Sequence, residues 1–247
     1  MIKLSWSNLE LFNECPRCFY FEIRYKVRRP LGFPLNFNNA IDGMMKDEMD
    51  ILRQKDLGQH VMEISGKEFV LRQNTSLRKW RHTSHGLNYQ WSEDVLLKGV
   101  LDDVWEEPGG RLVVVDFKST ATVSSMSTLP RWSDKIKRQL SFYAYLLKKL
   151  GYDVSDNSVI FYVVGKIKKD GLLKNMEFDY QKFIVQNDMT WINTRVQKAL
   201  ATLKSNGAPE GNERCVFCKF EQRSQRVFKS SDTRDAPQTF PKITHVK

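Results

Sequence analysis

The sequence has no apolar run close to the roughly 20 residues that a membrane-spanning helix needs, so it predicts no membrane partner. Its first residues lack the long apolar stretch of a signal peptide, and we expect a cytoplasmic protein. Internal repeats and low-complexity tracts are missing, which excludes a repeat architecture. It has four histidines and none lies in a recognisable ligand motif, which gives little support to a histidine-based metal site.

What the chain does contain is enough apolar material for a core and an excess of positive charge. It has 247 residues, of which 41% are hydrophobic, and its formal net charge is +10. That length allows one large domain, or a core domain with a smaller appendage. A basic protein suits a polyanionic partner such as nucleic acid, although charge says nothing about the fold.

The spacing of apolar residues predicts a mixed α/β fold with helices on both faces of a central sheet. We expect one domain over residues 1–229, with residues 56–94 as an insertion and residues 230–247 as a flexible tail. Helices are predicted near residues 5–15, 37–54, 135–150 and 183–203. Strands are predicted at residues 61–64, 69–71, 158–164 and 172–178, and residues 97–119 are predicted to form two strands joined by a turn.

The predicted hairpin at residues 97–119 carries charge in an otherwise apolar sequence. A buried charge without a partner is expensive, so charged residues in such a strand indicate a function. Asp116 and Lys118 are two residues apart and therefore point to the same face of their strand. A carboxylate there suits Mg²⁺ or Mn²⁺, and the lysine could orient a water molecule or stabilise charge on a phosphate.

The partner strand offers two aspartates, and spacing alone does not choose between them. If Glu106 paired with Arg111, Asp103 would share the face of Asp116 and Asp102 would not. A shift of one residue, for example through a bulge at the glycines of the turn, reverses this. The aspartate that does not bind metal is expected to pair with a nearby lysine or arginine.

Three short motifs in this order resemble the PD-(D/E)XK nuclease superfamily, and its RecB-like branch of CRISPR-associated exonucleases and recombination nucleases in particular. The motifs are Gly99-Val100-Leu101-Asp102, Asp116-Phe117-Lys118 and Gln139-Leu140-Ser141-Phe142-Tyr143. The serine-rich helix start and the Cys-Pro pair of residues 5–20 are also similar to that branch. The resemblance covers roughly residues 5–220, with residues 56–94 poorly matched, and implies a restriction-endonuclease-like core.

The resemblance implies a role for each of these residues. Asp102 and Asp116 would bind the metal, Lys118 would be the catalytic lysine, and Gln139 and Tyr143 would support catalysis or contact DNA. Since the resemblance selects Asp102, it predicts an odd-length connection or a bulge after Glu106. A further ligand, often histidine in relatives, matches Asp42, and Glu48 is the alternative position.

The four cysteines form two Cys-x-x-Cys pairs near opposite ends of the chain, Cys15/Cys18 and Cys215/Cys218. Paired motifs of this kind are a strong signature of a structural metal, and disulfides are disfavoured in a cytoplasmic protein. One metal centre would then tie the N-terminal helix to a C-terminal loop. Spacing alone favours zinc, whereas the resemblance to the RecB-like branch favours a 4Fe-4S cluster, which is the interpretation we prefer at this point.

The sequence therefore predicts a Mg²⁺- or Mn²⁺-dependent phosphodiesterase that cleaves DNA, with an exonuclease acting on single-stranded ends as the expected form. By resemblance, its role would lie in DNA repair, recombination or CRISPR-type processing. The alternative is a non-catalytic module that binds nucleic acid or protein and is stabilised by the four cysteines. A nuclease that cleaves RNA or a specific duplex site is equally compatible with the motifs.

Overall fold

The computed structural model describes residues 1–30, 36–122, 133–166 and 177–229. The strands are β1 (Ile2–Ser5), β2 (His60–Ile64), β3 (Lys67–Leu71), β4 (Leu87–Ser92), β5 (Val95–Gly99), β6 (Asp103–Glu106), β7 (Leu112–Thr122), β8 (Asn157–Lys166) and β9 (Glu177–Gln186). The helices are α1 (Trp6–Glu14), α2 (Pro16–Tyr25), α3 (Asn36–Lys55), α4 (Leu77–Trp80), α5 (Ser133–Lys149), α6 (Thr190–Lys204) and α7 (Val216–Lys229).

The chain divides into two compact units. The first contains residues 1–10 and 30–201, and the second contains residues 11–29 and 202–247. Residues 230–247, for which a flexible tail is predicted, lie outside the described residues. Among the described residues, no helix is both long enough and apolar enough to cross a membrane.

The first unit is built on a six-stranded sheet with the order β2-β3-β6-β7-β8-β9. Strands β7 and β8 run parallel, and the other neighbours are antiparallel, which confirms the predicted mixed sheet. The crossover between β7 and β8 contains α5, as a parallel connection requires. Strand β8 is buried along nearly its whole length, in agreement with its continuous apolar sequence.

Helix α3 covers one face of this sheet. Its buried residues Ile41, Met45 and Met49 recur at intervals of four residues and form one apolar stripe. They pack with alternate residues of β7, namely Val113, Val115 and Phe117. Because side chains alternate along a strand, Asp116 must point to the opposite face of the sheet. Packing of α3 therefore determines which face Asp116 occupies.

A second, three-stranded sheet has the order β1-β5-β4 and corrects one prediction. Residues 97–119 do not form two strands, because Leu97 belongs to β5 and pairs in parallel with Leu4 of β1. The hairpin itself begins only at Asp103. Residues 56–94 supply β2 and β3 to one sheet and β4 to the other, so they are part of both sheets in the structure.

The predicted start of the last long helix of the first unit is also wrong. Phe183 lies in β9, where it pairs with Ile160 of β8, and α6 begins at Thr190. The Asp188 carboxylate accepts hydrogen bonds from the Thr190 backbone N–H and hydroxyl at 3.0 and 2.6 Å, which caps the helix. Residues 172–176 of the predicted preceding strand lie outside the described residues.

In the second unit, both Cys-x-x-Cys pairs stand at the start of a helix. Cys15 is the N-cap of α2, with Pro16 as the first helical residue. Cys215 directly precedes α7, and its carbonyl accepts a hydrogen bond from the Lys219 backbone N–H at 3.0 Å. The prediction that Cys215 and Cys218 lie in a loop is therefore wrong for Cys218, which is in the first turn of α7.

Candidate active site

The connection between β6 and β7 determines which aspartate meets Asp116. Glu106 pairs with Leu112, which leaves five residues, 107–111, between the paired positions. The turn is closed by a hydrogen bond from the Gly110 backbone N–H to the Glu107 carbonyl at 2.8 Å. Gly110 has a φ of +84°, a conformation that glycine adopts without strain. The predicted odd-length connection is confirmed.

This register places Asp102 and Asp103 on opposite faces of the sheet. Asp103 pairs with Val115, so it shares the face that α3 covers and points away from Asp116. Continuing the pairing by one residue brings Asp102 opposite Asp116, on the same face. The Asp102 Oδ2 atom also accepts a hydrogen bond from the Phe117 backbone N–H at 3.1 Å, which holds the carboxylate next to β7.

Asp103 is a buried ion-pair partner. Its side chain has no exposed surface and bonds to the guanidinium group of Arg53, while Arg81 lies 3.3 Å from the same oxygen. The Val104 backbone N–H and the Trp105 indole N–H also donate to its carboxylate. Burial raises the pKa of the Asp103 carboxyl, and the two arginines oppose that rise. Pairing of the second aspartate with nearby basic residues is thus confirmed.

Asp116 is buried next to Lys118. The residue is 1% exposed, and the Lys118 ammonium group forms an ion pair with its Oδ2 atom. Neither carboxylate oxygen accepts a hydrogen bond of good geometry. Burial raises the pKa of the Asp116 carboxyl to about 7; Lys118 opposes that rise and Asp102 adds to it. The carboxylate thus has unused coordination capacity at a position where its charge needs compensation.

A lysine of α3 joins the two remaining acidic residues of this region. The Lys46 ammonium nitrogen lies 2.6 Å from Asp42 Oδ2 and 3.0 Å from Asp102 Oδ1. Burial lowers the pKa of Lys46, but the two carboxylates outweigh this effect and the net shift is upward. Lys46 therefore carries its charge at neutral pH, and Asp102 is held through both of its oxygens.

Tyr143 and Gln139 reach this region from α5, one helical turn apart. The Gln139 side-chain amide donates to the Tyr143 hydroxyl oxygen at 3.2 Å. Burial raises the pKa of Tyr143, and Asp116 adds to the rise, so the phenol keeps its proton. With its oxygen already accepting from Gln139, the hydroxyl group can donate its own proton to a nearby acceptor.

Gly99, the first residue of the Gly-x-x-Asp motif, lets α5 approach β5 closely. A Cβ atom at this position would lie 2.8 Å from Leu146 Cδ1 and 3.0 Å from Tyr143 Cδ1. Both distances are shorter than van der Waals contact allows, so any other residue would displace the helix or its side chains. The motif glycine therefore has a packing role that fixes Tyr143.

Five of the predicted site residues line one cleft of about 430 Å³. Its lining includes Asp42, Asp102, Lys118, Gln139 and Tyr143, together with Asn38, Asn39, Ile41, Met45, Val100, Phe117 and Ser119. The structure thus brings the predicted acidic, basic and polar residues together from α3, β7, α5 and the segment before β6. The alternative ligand Glu48 instead lines an apolar groove elsewhere on α3.

Sequence reasoning missed two residues at this cleft. Lys46 was hidden among the charged residues of α3, although its spacing of four from Asp42 places both on one helix face. Asn38 donates from its side-chain amide to the Ser119 carbonyl at 3.0 Å and to the Ser119 hydroxyl at 2.9 Å. It ties the start of α3 to β7, and no motif in the sequence marks it.

The four cysteines converge in the second unit. All four are free thiols, and their sulfur atoms lie within 4.8 Å of one another. The separations are 3.6 Å for Cys15–Cys218, 3.6 Å for Cys18–Cys215 and 3.7 Å for Cys18–Cys218. The predicted four-cysteine metal-binding group is therefore assembled.

The surroundings of the cysteines act on them differently: hydrogen bonds lower the pKa of Cys15, whereas burial raises the pKa of Cys18 and of Cys218. Burial raises the pKa of Cys15, but hydrogen bonds from the backbone of Asn212 and Cys18 and from neighbouring thiols lower it to about 6. Arg29 donates to Cys215 Sγ at 3.6 Å and forms an ion pair with Glu14 at 2.7 Å. Thiolates are the form that binds metal ions.

Comparison with known proteins decides the family. The family model of the PD-(D/E)XK nuclease superfamily matches residues 3–223, which is most of the chain. The chain belongs to the PD-(D/E)XK nuclease superfamily. No curated protein matches it. The crystal structure of SSO0001 matches with a TM-score of 0.40 and 14% identity, over 89% of this chain and 84% of that one, and at this level the likeness adds nothing to the assignment.

PD-(D/E)XK nucleases use divalent metal ions, and the cleft of this superfamily member fits one. Asp102 lines the cleft, and the buried carboxylate of Asp116 lies beside it, paired with the Lys118 ammonium group. Carboxylate oxygens are the ligands that hard divalent cations prefer. Membership in the superfamily and this donor set together support a metal-dependent nuclease that acts on phosphodiester bonds of nucleic acid.

Proposed function

We propose that the protein is a Mg²⁺- or Mn²⁺-dependent deoxyribonuclease in which Asp102 and Asp116 hold the catalytic cation. The observation that carries the proposal is the β6–β7 register, which brings Asp102 to the face of Asp116 and turns Asp103 away. The buried carboxylate of Asp116, which pairs with the Lys118 ammonium group, supports the same assignment. A non-catalytic remnant should have lost one of Asp102, Asp116 and Lys118, and the chain keeps all three.

The side chains around the cleft can each contribute to phosphodiester hydrolysis. A bound divalent cation would polarise a phosphate oxygen and stabilise its negative charge. The Lys118 ammonium group is positioned to stabilise charge that develops on the phosphate or to orient a water molecule beside it. The protonated hydroxyl of Tyr143 can donate a hydrogen bond to a phosphate oxygen, and Gln139 orients that hydroxyl.

We propose single-stranded DNA ends as the substrate, with an exonuclease of the RecB-like branch as the form of the enzyme. The resemblance of the Gly-x-x-Asp, Asp-x-Lys and Gln-x-x-x-Tyr motifs to that branch supports this choice. The net charge of +10 supports binding to a phosphate backbone, since lysine and arginine neutralise phosphates without reading sequence. A role in DNA repair, recombination or CRISPR-type processing follows from the same resemblance.

The substrate is tested by incubating the purified chain with end-labelled DNA, single-stranded or duplex, and with the matching RNA, with and without Mn²⁺. Shortening of single-stranded DNA from an end, only when Mn²⁺ is present, supports the proposal. A circular single-stranded DNA separates the two modes of cleavage, because an exonuclease leaves it intact. Cleavage of the circle, or of RNA alone, contradicts the proposed substrate.

For the four cysteines, we propose zinc in preference to the expected 4Fe-4S cluster. Zinc–sulfur bonds of about 2.3 Å in a tetrahedron place neighbouring sulfurs about 3.8 Å apart. The separations of 3.6 and 3.7 Å support that arrangement. A four-iron cube has its thiolates outside the corners and holds them farther apart. Stoichiometric zinc in purified protein, without the brown colour of an iron–sulfur cluster, is the expected result; stoichiometric iron and sulfide contradict it.

A further inference from the structure

The segment that carries Asp102 lies between two strands rather than within one. β5 ends at Gly99 and β6 begins at Asp103, and these two strands belong to different sheets. β6 itself has only four residues. A carboxylate that has to meet Asp116 from such a segment needs further contacts to fix its backbone.

Two contacts of this kind come from the end of α4. The Leu101 backbone N–H donates to the Trp80 carbonyl at 3.1 Å, and the Arg81 Nε atom donates to the Asp102 carbonyl at 2.7 Å. Helix α4 is itself anchored, because Leu77 and Trp80 are buried. The end of α4 therefore holds two successive residues of the segment.

The guanidinium group of Arg81 uses each of its three nitrogens for a different partner. Besides the bond from Nε to the Asp102 carbonyl, Nη1 bonds to Asp50 Oδ2 at 2.7 Å and Nη2 lies 3.3 Å from Asp103 Oδ1. A guanidinium group presents its donors in a fixed planar fork, so the two carboxylates orient the Nε–H. Helix α3, through Asp50, and β6, through Asp103, thus determine where the Asp102 carbonyl is held.

The side chain of Asp102 is held separately. Its Oδ2 atom accepts the hydrogen bond from the Phe117 backbone N–H at 3.1 Å, and its Oδ1 atom lies 3.0 Å from the Lys46 ammonium nitrogen. With the carbonyl bound to Arg81 as well, the residue is fixed at both its backbone and its carboxylate. Without Arg81, the carboxylate would depend on its side-chain contacts alone.

Arg53 offers a matched comparison, because it contacts the same two carboxylates, Asp50 and Asp103. Its guanidinium group also donates to a carbonyl of β6 at 3.2 Å, in a strand that pairing with β7 already holds in place. The side chain of Arg53 is 5% exposed and that of Arg81 is 13% exposed. The two arginines share one ion-pair network, and of the two it is Arg81 that reaches the Asp102 backbone.

We infer that Arg81 is a positioning residue of the active site, which fixes the Asp102 carboxylate by holding the Asp102 backbone carbonyl. The inference rests on the proposed function, in which Asp102 is a ligand of the catalytic cation. Arg81 is not among the described residues that line the cleft, so it acts through Asp102. An arginine that only stabilised the fold would affect Asp102 no more than Arg53 does.

The test compares Arg81→Lys with Arg53→Lys. Both variants keep the positive charge beside the buried Asp103 carboxylate. In Arg81→Lys, however, the single side-chain nitrogen is expected to pair with the carboxylates and to leave the Asp102 carbonyl without its donor. Because the Asp102 backbone is then free to move, its hydrogen bond with the Phe117 N–H should weaken.

Two quantities are measured in addition to activity. Exchange of the Phe117 amide hydrogen, followed by NMR in metal-free protein, should be about fivefold faster in Arg81→Lys, as expected for the loss of one hydrogen bond. Affinity for Mn²⁺, measured by calorimetry, should fall about 10- to 100-fold, which is typical when a partner that orients a metal ligand is replaced. Arg53→Lys should lower the melting temperature at least as much and leave both quantities close to those of the wild type.

Equal Phe117 exchange and equal Mn²⁺ affinity in the two lysine variants would overturn the inference, and cleavage of DNA by the wild type would leave the proposed function standing. A wild type that binds no Mn²⁺ and cleaves nothing would overturn the proposed function instead. The exchange measurement needs no metal and would still decide whether Arg81 holds Asp102.

Asp50→Ala is a second variant, and it decides the question if Arg81→Lys does not fold. The Asp50 side chain is 45% exposed and holds Nη1 of Arg81, so its removal should leave the protein folded but the guanidinium group less well oriented. We expect Phe117 exchange to rise and Mn²⁺ affinity to fall, each by less than in Arg81→Lys. Wild-type values of both in Asp50→Ala would contradict the inference.

Discussion

Replacing each of two adjacent aspartates should separate stability from catalysis. Asp103→Ala removes a buried carboxylate that bonds to Arg53 and lies 3.3 Å from a guanidinium nitrogen of Arg81. Asp102→Asn changes a carboxylate that is 20% exposed and faces the cleft. The two residues are neighbours in sequence but point to opposite faces, so the comparison tests which face of the sheet carries the active site.

The loss of stability expected for Asp103→Ala depends on the hydrogen bonds that the arginines keep when the carboxylate is removed. Removing one partner of a buried ion pair destabilises a protein by about 3–5 kcal/mol. The guanidinium group of Arg53 keeps hydrogen bonds to the Arg72 and Val104 carbonyls at 3.2 Å each, which favours the lower end of that range. At roughly 2–4 °C per kcal/mol for a chain of this size, the melting temperature should fall by about 6–12 °C.

Asp102→Asn should change stability much less and activity much more. The amide oxygen can still accept the hydrogen bond from the Phe117 backbone N–H, so we expect a loss of less than about 1 kcal/mol. Because the amide carries no charge, Mn²⁺-dependent cleavage should be lost. The assays are thermal unfolding by circular dichroism and cleavage of labelled DNA well below both melting temperatures.

The opposite pattern would refute the reasoning. In that pattern, Asp103→Ala would have the melting temperature of the wild type but no activity, and Asp102→Asn would keep full activity. Such a result would mean that the register is shifted by one residue. Asp134→Asn, an exposed aspartate at the start of α5, is the control and should change neither property.

Three further predictions concern other parts of the molecule. Gly99→Ala should destabilise the protein by about 1–3 kcal/mol and slow cleavage, because its Cβ would overlap Leu146 and Tyr143. The melting temperature and the turnover rate measure these two effects, and unchanged values would contradict the packing role of Gly99. Cys218→Ser should release the bound metal and make the second unit sensitive to protease, whereas full metal content would show that Cys218 is not a ligand. Binding of single-stranded DNA should weaken steeply as salt is raised, and binding independent of salt would exclude the phosphate contacts proposed for this basic chain.

Prediction from sequence succeeded where periodicity or spacing determines the structure. Helix α3 and strand β8 follow from their apolar patterns, and the cysteine group follows from its paired spacing. The β6–β7 register could not be predicted from spacing, because spacing allows either Asp102 or Asp103 to lie on the face of Asp116. Only the resemblance of the Gly-x-x-Asp motif selected Asp102, and the five-residue connection then agreed with it.

The errors and omissions have physical reasons of their own. The local pattern places Leu97 in the hairpin, because nothing in it shows that β5 pairs with β1, which lies more than ninety residues away in sequence. Phe183 and its neighbours are equally compatible with a helix and a strand until their pairing with β8 is known. Lys46 looked like one of many solvated charges on α3, and only the approach of Asp102 gives it a second partner.

The most direct test of the central claim is the Mn²⁺-dependent cleavage of end-labelled DNA by Asp116→Asn and Lys118→Ala, beside the wild type and the exposed control Lys137→Ala. We expect the wild type and the control to cleave DNA, and both cleft variants to remain folded and inactive. Full activity in Asp116→Asn and Lys118→Ala would contradict the assignment of this cleft as the active site.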